Sequence, residues 1–275
     1  MQKTIMITGA TDGIGLAAAK KLVGMGHHLL LHGRNPTKLS VVEKELSSLA
    51  DSVPVESYVA DLSVLSEVQQ LIDQVAERHQ HIDVLINNAG IFKTSEPLTT
   101  EGLDVRFVVN TIAPYLLTKK ALPLMGPSGR VINLSSAAQS PVDLQALMGR
   151  QRIDNDFEAY AQSKLAITAW SRSLAEIHKP QGPKIISVNP GSMLGSKMVK
   201  QAFGVAGKDI NIGADILIRA ALSEEFESAN GRYFDNDSGS FASPHADALN
   251  PKISDSIIES IESVLENIRI RWQLV

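Results

Sequence analysis

A short β-prone run, Ile5–Thr8, enters a turn holding Gly9, Gly13 and Gly15, and a helix pattern follows from Ile14 to about Met25. A strand that passes into a helix through a tight glycine turn is the opening unit of a parallel sheet covered by helices. The pattern then repeats. His28–His32 reads as a second strand, and Pro36 with Leu39, Val42, Leu46 and Leu49 marks the next helix. Pro54–Ala60 is strand-like, and Ser63 is placed to cap a helix carrying Val68, Leu71, Ile72 and Val75. Ile82–Asn87 is almost wholly apolar, as expected of a strand covered on both faces. Leu103–Leu122 is helix-compatible, with an irregularity expected at Pro114. Arg130–Leu134 and Lys184–Asn189 read as strands around a helix from about Glu158 to His178. The stretch Asp235–Pro251 is polar and turn-rich, and a last helix runs over about 254–270. The expected fold is a doubly wound α/β parallel sheet with helices on both faces, a single domain over residues 1–275.

The glycine turn is also the first chemical signal. In Thr8-Gly9-Ala10-Thr11-Asp12-Gly13-Ile14-Gly15 the backbone can turn tightly and bring main-chain N–H groups toward a pyrophosphate. The following helix points its positive end at that anion. The spacing differs from the usual Gly-x-Gly-x-x-Gly dinucleotide fingerprint, and it lacks the Gly-Lys-Ser/Thr ending of a nucleoside-triphosphate loop. The alternative is a turn that packs closely and binds nothing. An NAD site places an acid near the end of the second strand, on the ribose 2′-hydroxyl. Here Gly33 stands at that point and Arg34 follows. A guanidinium suits a 2′-phosphate, so NADP(H) is expected over NAD(H), unless Arg34 is a solvated surface side chain.

Tyr160 and Lys164 lie four apart on a predicted helix and share a face. A phenol titrates near 10 in water, and an adjacent ammonium favours its phenolate. A tyrosine so placed can pass a proton to or from a carbinol oxygen. Taken alone, the pair is also compatible with an ordinary helix surface. Composition narrows the field. With 26 Lys and Arg against 30 Asp and Glu, there is no basic excess to coat a nucleic acid. The chain has 0 cysteines, which excludes disulfides, thiolate metal sites and a cysteine nucleophile. No apolar run approaches the ~20 residues that span a bilayer, so a cytoplasmic chain without a membrane anchor is expected.

Thr8–Gly15, Asn87-Asn88-Ala89-Gly90, Asn110, Ser136, Tyr160-x-x-x-Lys164 and Asn189-Pro190-Gly191 occur together and in order. In these motifs the chain resembles the short-chain dehydrogenase/reductase family over about residues 3–234. The resemblance implies a Rossmann-like domain with a seven-stranded parallel sheet. It also implies reversible hydride transfer between a nicotinamide and a small-molecule carbonyl or alcohol. By that resemblance Tyr160 is the catalytic acid/base and Lys164 holds the nicotinamide ribose and lowers the phenol pKa. Ser136 orients the substrate oxygen while Ser135 points into the sheet. Asn110 supports a water-linked proton relay, or is a buried structural amide. For the cofactor, Gly9, Thr11, Asp12, Gly13, Ile14 and Gly15 form the phosphate turn and Arg34 takes the 2′-phosphate. Asp61 and Leu62 contact adenine, Asn88, Ala89 and Gly90 pass beneath its ribose, and Pro190 and Gly191 flank the carboxamide. A threonine usually follows that last turn, and here Ser196 is the candidate for its role. The family is commonly dimeric or tetrameric through the helices after strands four and five, so a homodimer or homotetramer is expected.

Two departures matter. From Ser136 to Tyr160 is 24 residues, about twice the spacing of many relatives. This length resembles the retinol-dehydrogenase-like branch, although no membrane anchor is seen and a retinoid substrate does not follow. The stretches 137–157 and 192–212 are the expected substrate side, with Leu144, Met148, Met193, Leu194 and Phe203 available to line an apolar pocket. A catalytically silent NADP(H)-binding regulator or scaffold of the same fold is the alternative function. An epimerase or dehydratase is less compatible with the glycine spacing. The histidines His27, His28, His79 and His81 have no acidic neighbours in a metal-ligand pattern, so no metal is expected. Asp235, Asp237 and Asp247 read as solvated.

Overall fold

The computed structural model describes residues 1–49 and 53–273. The chain runs β1 (Thr4–Ile7), α1 (Gly13–Gly24), β2 (His28–Gly33), α2 (Pro36–Leu49), β3 (Val55–Val59), α3 (Leu65–Arg78) and β4 (Val84–Asn87). It continues with α4 (Val105–Phe107), α5 (Ala113–Ala121), β5 (Arg130–Leu134), α6 (Leu144–Leu147), α7 (Asp156–Ile177) and β6 (Lys184–Asn189). It closes with α8 (Lys197–Phe203), α9 (Asn211–Leu222), β7 (Tyr233–Asp235), β8 (Ser240–Ala242) and α10 (Pro251–Gln273). The strands form one sheet in the order β3-β2-β1-β4-β5-β6-β7-β8. Seven strands are parallel, as expected, and β8 adds an antiparallel edge through Tyr233↔Ala242.

Successive side chains of a strand face opposite ways, and here both ways are buried. On β1, Met6 joins the core under α3 and α7 with Leu30, Leu71 and Leu165. Ile5 and Ile7 join the opposite core with Ala18, Leu22 and Leu217 of α1 and α9. That is why the central strands read as continuous apolar runs. Between β1 and β4 the strand order reverses, which opens a crevice at the C-terminal strand ends.

Some local expectations are corrected. Ser63 does not cap α3: Val64 holds the cap position without a side-chain bond, and the Ser63 hydroxyl donates to Asp61 at 2.7 Å. The carboxylate of Asp61 also accepts from the Ser63 N–H, so the serine is spent in a turn before the helix begins. The irregularity expected at Pro114 lies just upstream, where Val108–Ile112 forms a π-helical turn between α4 and α5. Proline has no N–H to give, so the helix ahead of it can take the wider register. The turn-rich stretch after β7 contains the β7–β8 hairpin, and α10 begins at Pro251 rather than near residue 254. Leu144 and Met148 do not reach the crevice. They pack against the core that α6 shares with α10.

The long helix α10 lays Ile257, Ile261, Val264 and Ile268 into the core that also holds Trp170 and Leu174 of α7. Its Glu262 accepts from Tyr115 and from Lys119 of α5. The chain's own C-terminal helix therefore packs on α7 and touches α5 through Glu262. Among the described residues no helix is long and apolar enough to cross a membrane.

Candidate active site

The crevice over the C-terminal strand ends is a groove of about 1020 Å³. Its floor is the glycine turn. Gly9 takes φ 67° and lies so close to the next segment that a Cβ there would stand 2.9 Å from the Ala89 Cα. A Cβ on Gly15 would stand 2.3 Å from the Gly9 oxygen. Thr8 and Asn88 stitch this turn to the end of β4. The Thr8 hydroxyl accepts from the N–H of Asn88 at 3.0 Å and of Ala89 at 3.1 Å. The Asn88 amide donates to the Thr8 and Gly9 oxygens at 2.9 and 3.1 Å. Asn87 is buried and donates to Asn133 at 2.8 Å, a structural role.

His32 is a contributor that the sequence reading missed. The N–H of Gly9 donates to its Nδ1 at 3.3 Å, and its Nε2 lies 2.9 Å from the Ala60 oxygen. These partners set Nε2 as the protonated nitrogen. Burial holds the ring's pKa down to about 4. No motif marks such a residue, since a histidine inside an apolar strand carries no spacing signal.

The second-strand edge follows a steric rule. A Cβ on Gly33 would stand 2.6 Å from the Thr11 side chain, so an acid there would have to displace it. Arg34 and Lys38 stand exposed at the groove wall, with Asp61 and Leu62 across from them. Lys38 is a second cation that the sequence reading left out, although it lies one helical turn beyond Arg34.

The opposite end of the groove holds Ser136, Tyr160 and Lys164. Tyr160 is fixed through its helix. Asn155 caps α7 by accepting from Phe157 and Glu158 at 2.9 and 3.1 Å. Arg106, fully buried, pairs with Asp104 at 2.6 Å and with Asp156 of α7 at 2.5 Å. Asn110, in the π-helical turn, donates to the Ile91 carbonyl and to the Ser163 hydroxyl, both at 2.9 Å, and that hydroxyl donates to the backbone carbonyl of Tyr160 at 2.7 Å. Ser135 is turned inward onto Thr168 at 2.6 Å, as expected, which leaves Ser136 facing the groove.

Burial pushes the Tyr160 phenol up, and its hydrogen bond with Ser136 opposes that rise. The Lys164 ammonium lies 5.6 Å from the Tyr160 ring centre and donates to the Leu134 oxygen at 2.7 Å. Burial brings the Lys164 pKa down to about 7. The Lys164 ammonium is thus held at the end of β5, beside the Tyr160 ring.

Near the tyrosine the wall is aromatic. Phe92 meets Tyr160 edge to face at 4.9 Å and touches Phe157 at 6.3 Å and Phe203 at 5.8 Å. Met193, Leu194 and Phe203 line the groove as expected. Met193 holds φ 58°, a strained value for a residue with a side chain. Ser196 lies on the groove beside Gly13 and caps α8 by accepting from Val199 at 3.2 Å. Pro190 and Gly191 are held from outside. Asn236 donates to the Pro190 oxygen at 2.9 Å. Asp237 is not merely solvated: it accepts from the Ser192 N–H at 2.9 Å, from the Ser192 hydroxyl at 2.5 Å and from Asn189 at 2.9 Å. Those bonds hold its carboxyl below the usual range against the opposing effect of burial. Asp235 accepts from Asn189 at 2.7 Å and is likewise part of this clamp.

The comparisons with known proteins agree with this geometry. Residues 3–204 match the family described as short chain dehydrogenase. Human Retinol dehydrogenase 13 is 29% identical over 251 residues, 85% of this chain and 76% of that protein. The Short-chain dehydrogenase TIC 32 A, chloroplastic, of Brassica napus is 30% identical over 253 residues, covering 84% of this chain and 79% of its own length. Among solved structures, the angucycline C-6 ketoreductase LanV with bound NADP superposes with a TM-score of 0.68 at 25% identity, covering 85% of this chain and 93% of that one. The chain belongs to the short-chain dehydrogenase family and is an oxidoreductase of that family.

Proposed function

We propose that the protein is an NADP(H)-dependent oxidoreductase that interconverts a carbonyl and an alcohol, with Tyr160 as the acid/base. The observation that carries this reading is the convergence of Ser136, Tyr160 and Lys164 on the same groove as the glycine turn and Arg34. The groove suits a dinucleotide: it is long, it begins at backbone N–H groups and a helix N-terminus, and its floor has no room for side chains. When bound, a nicotinamide supplies or accepts the hydride. The chain's own groups do the rest. Ser136 and Tyr160 direct hydroxyls at the substrate oxygen and orient it. The Tyr160 hydroxyl gives its proton as the carbonyl oxygen gains charge, and takes one back in the reverse direction. Lys164, with a pKa near 7, serves as the cation beside the phenolate and as the anchor for the nicotinamide ribose. Asn110 holds the helix turn behind it through Ile91 and Ser163.

Support for NADP(H) over NAD(H) comes from the second strand. Glycine stands at position 33, with Thr11 packed close against it, and Arg34 and Lys38 supply positive charge at the same wall. LanV carries NADP in its solved structure, which favours the same class of cofactor here. The aromatic wall of Phe92, Phe157 and Phe203 favours a bulky apolar substrate.

One experiment tests both parts. Aldehydes and ketones are reduced with NADPH or NADH by wild type, Tyr160→Phe and Arg34→Ala. Tyr160→Phe is expected to keep cofactor affinity while losing turnover by roughly 100-fold or more. Arg34→Ala is expected to weaken NADPH by about tenfold while NADH is unchanged. Near-wild-type turnover of Tyr160→Phe refutes the acid/base role, and tighter wild-type binding of NADH than NADPH refutes the cofactor preference.

A further inference from the structure

We propose that His28, Glu56 and His79, with the Tyr58 hydroxyl, form a site for one divalent zinc-class ion at the end of the sheet remote from the catalytic tyrosine. His28 opens β2 and Glu56 lies near the start of β3, whereas the groove lies beyond the other ends of these strands. Leu30 pairs with Glu56 in register, so His28, two residues back, shares its face with Glu56 and Tyr58. His79 is the residue that ends α3, the helix packed on that face. The local sequence shows none of this, because the acidic neighbour of these histidines comes from another strand. The expectation that they lack one is corrected.

The spacing of the donor atoms carries the proposal. His28 Nε2 lies 2.8 Å from Glu56 Oε1, and His79 Nε2 lies 3.2 Å from Glu56 Oε2. The Tyr58 hydroxyl lies 2.9 Å from Glu56 Oε2 and 3.1 Å from His79 Nε2. Ligands around four-coordinate zinc, with bonds of about 2.0 Å, stand roughly 3.3 Å apart. The donor atoms of His28, Glu56 and His79 all lie within 4.8 Å of one another, with the Tyr58 hydroxyl beside them, so a modest contraction forms the ligand shell. The two histidine side chains are only 16% and 13% exposed, so their positions are held by packing. Without an ion the same atoms share hydrogen bonds through Glu56. On uptake, each imidazole turns its Nε2 lone pair to the ion and carries its proton on Nδ1. The opposing charge is Arg78, whose guanidinium lies 3.9 Å from Glu56 Oε2 and 5.7 Å from the Tyr58 ring centre, on a side chain that is 63% exposed. A bound ion would tie β2, β3 and α3 together, and its effect falls on stability rather than on turnover.

The full chain, stripped with a chelator and desalted, is titrated with zinc chloride against a chromophoric zinc indicator. Uptake of one zinc per chain is expected. His28→Ala, His79→Ala and Glu56→Gln should each weaken it by about tenfold or more. Arg78→Gln should tighten it by about threefold. His81→Ala should leave it unchanged, since His81 pairs with Asp83 at an exposed position. Cobalt added to the wild type gives the intense visible bands of a four-coordinate ion, a readout that needs no variant to fold. No uptake by the wild type at about 100 µM zinc overturns the site. Unchanged uptake in the His28→Ala/His79→Ala variant also overturns it, by placing the ion elsewhere.

Discussion

Between the glycine turn and the end of β3, His32 works as a neutral ring with one donor and one acceptor, both committed to backbone. That commitment has a pH signature. The unfolded chain takes up a proton near 6.5, while the folded ring refuses it until about 4. The unfolded state therefore binds more protons across this window, and stability falls as pH drops from 6.5 toward 4. Urea unfolding of wild type and His32→Gln at about pH 7.5 and about pH 5 isolates the effect. The wild type is expected to lose about 2 kcal/mol relative to the variant over that interval. At this scale the sequence pointed to Tyr160, Lys164 and Arg34 by their spacing and to Ser136 by resemblance, and the fold brings all four to one groove. It gave no sign of His32 and misread Asp237 as solvated, because their partners lie 23 to 48 residues away and are set only by the fold.

Helix α7 carries Tyr160, the proposed acid/base, and its first turn is fastened by Arg106 to Asp104 and Asp156. Removing one member of a buried ionic group leaves the others desolvated and unpaired. Arg106→Ala is expected to cost about 3–5 kcal/mol in chemical unfolding. Arg152→Ala, which breaks an exposed pair with Asp154 at 3.1 Å, is expected to leave stability within error. A small effect of Arg106→Ala would show that α7 is held by its apolar contacts alone. The helices and central strands were readable because their apolar periods are long and both sheet faces are covered. Helix ends were less so. The Ser63 cap failed because Asp61, two residues earlier, competes for the same hydroxyl. The β7–β8 hairpin was missed because strands of 3 residues each carry no period to detect.

For the molecule as a whole, the decisive feature is where α10 ends up. It covers α7 and reaches α5, the surface on which relatives are expected to pair. The intact protein is expected to give the mass of one chain by light scattering, with truncation before Pro251 exposing an apolar face that self-associates. A two-chain mass for the intact protein would mean that another surface does the pairing. The alternation of strands and helices made the parallel, helix-covered sheet foreseeable, but nothing in a C-terminal apolar stripe says which neighbour it will cover. The β7–β8 turn bears on a different matter. Asp237 grips Ser192, and Asn236 grips both Pro190 and the Ile212 oxygen, the latter at 3.3 Å, from the far margin of the sheet. The segment that walls the groove thus hangs by its two ends from one hairpin. Substitutions between those ends can recontour the wall while its moorings stay put, so the fold leaves this stretch free to diversify.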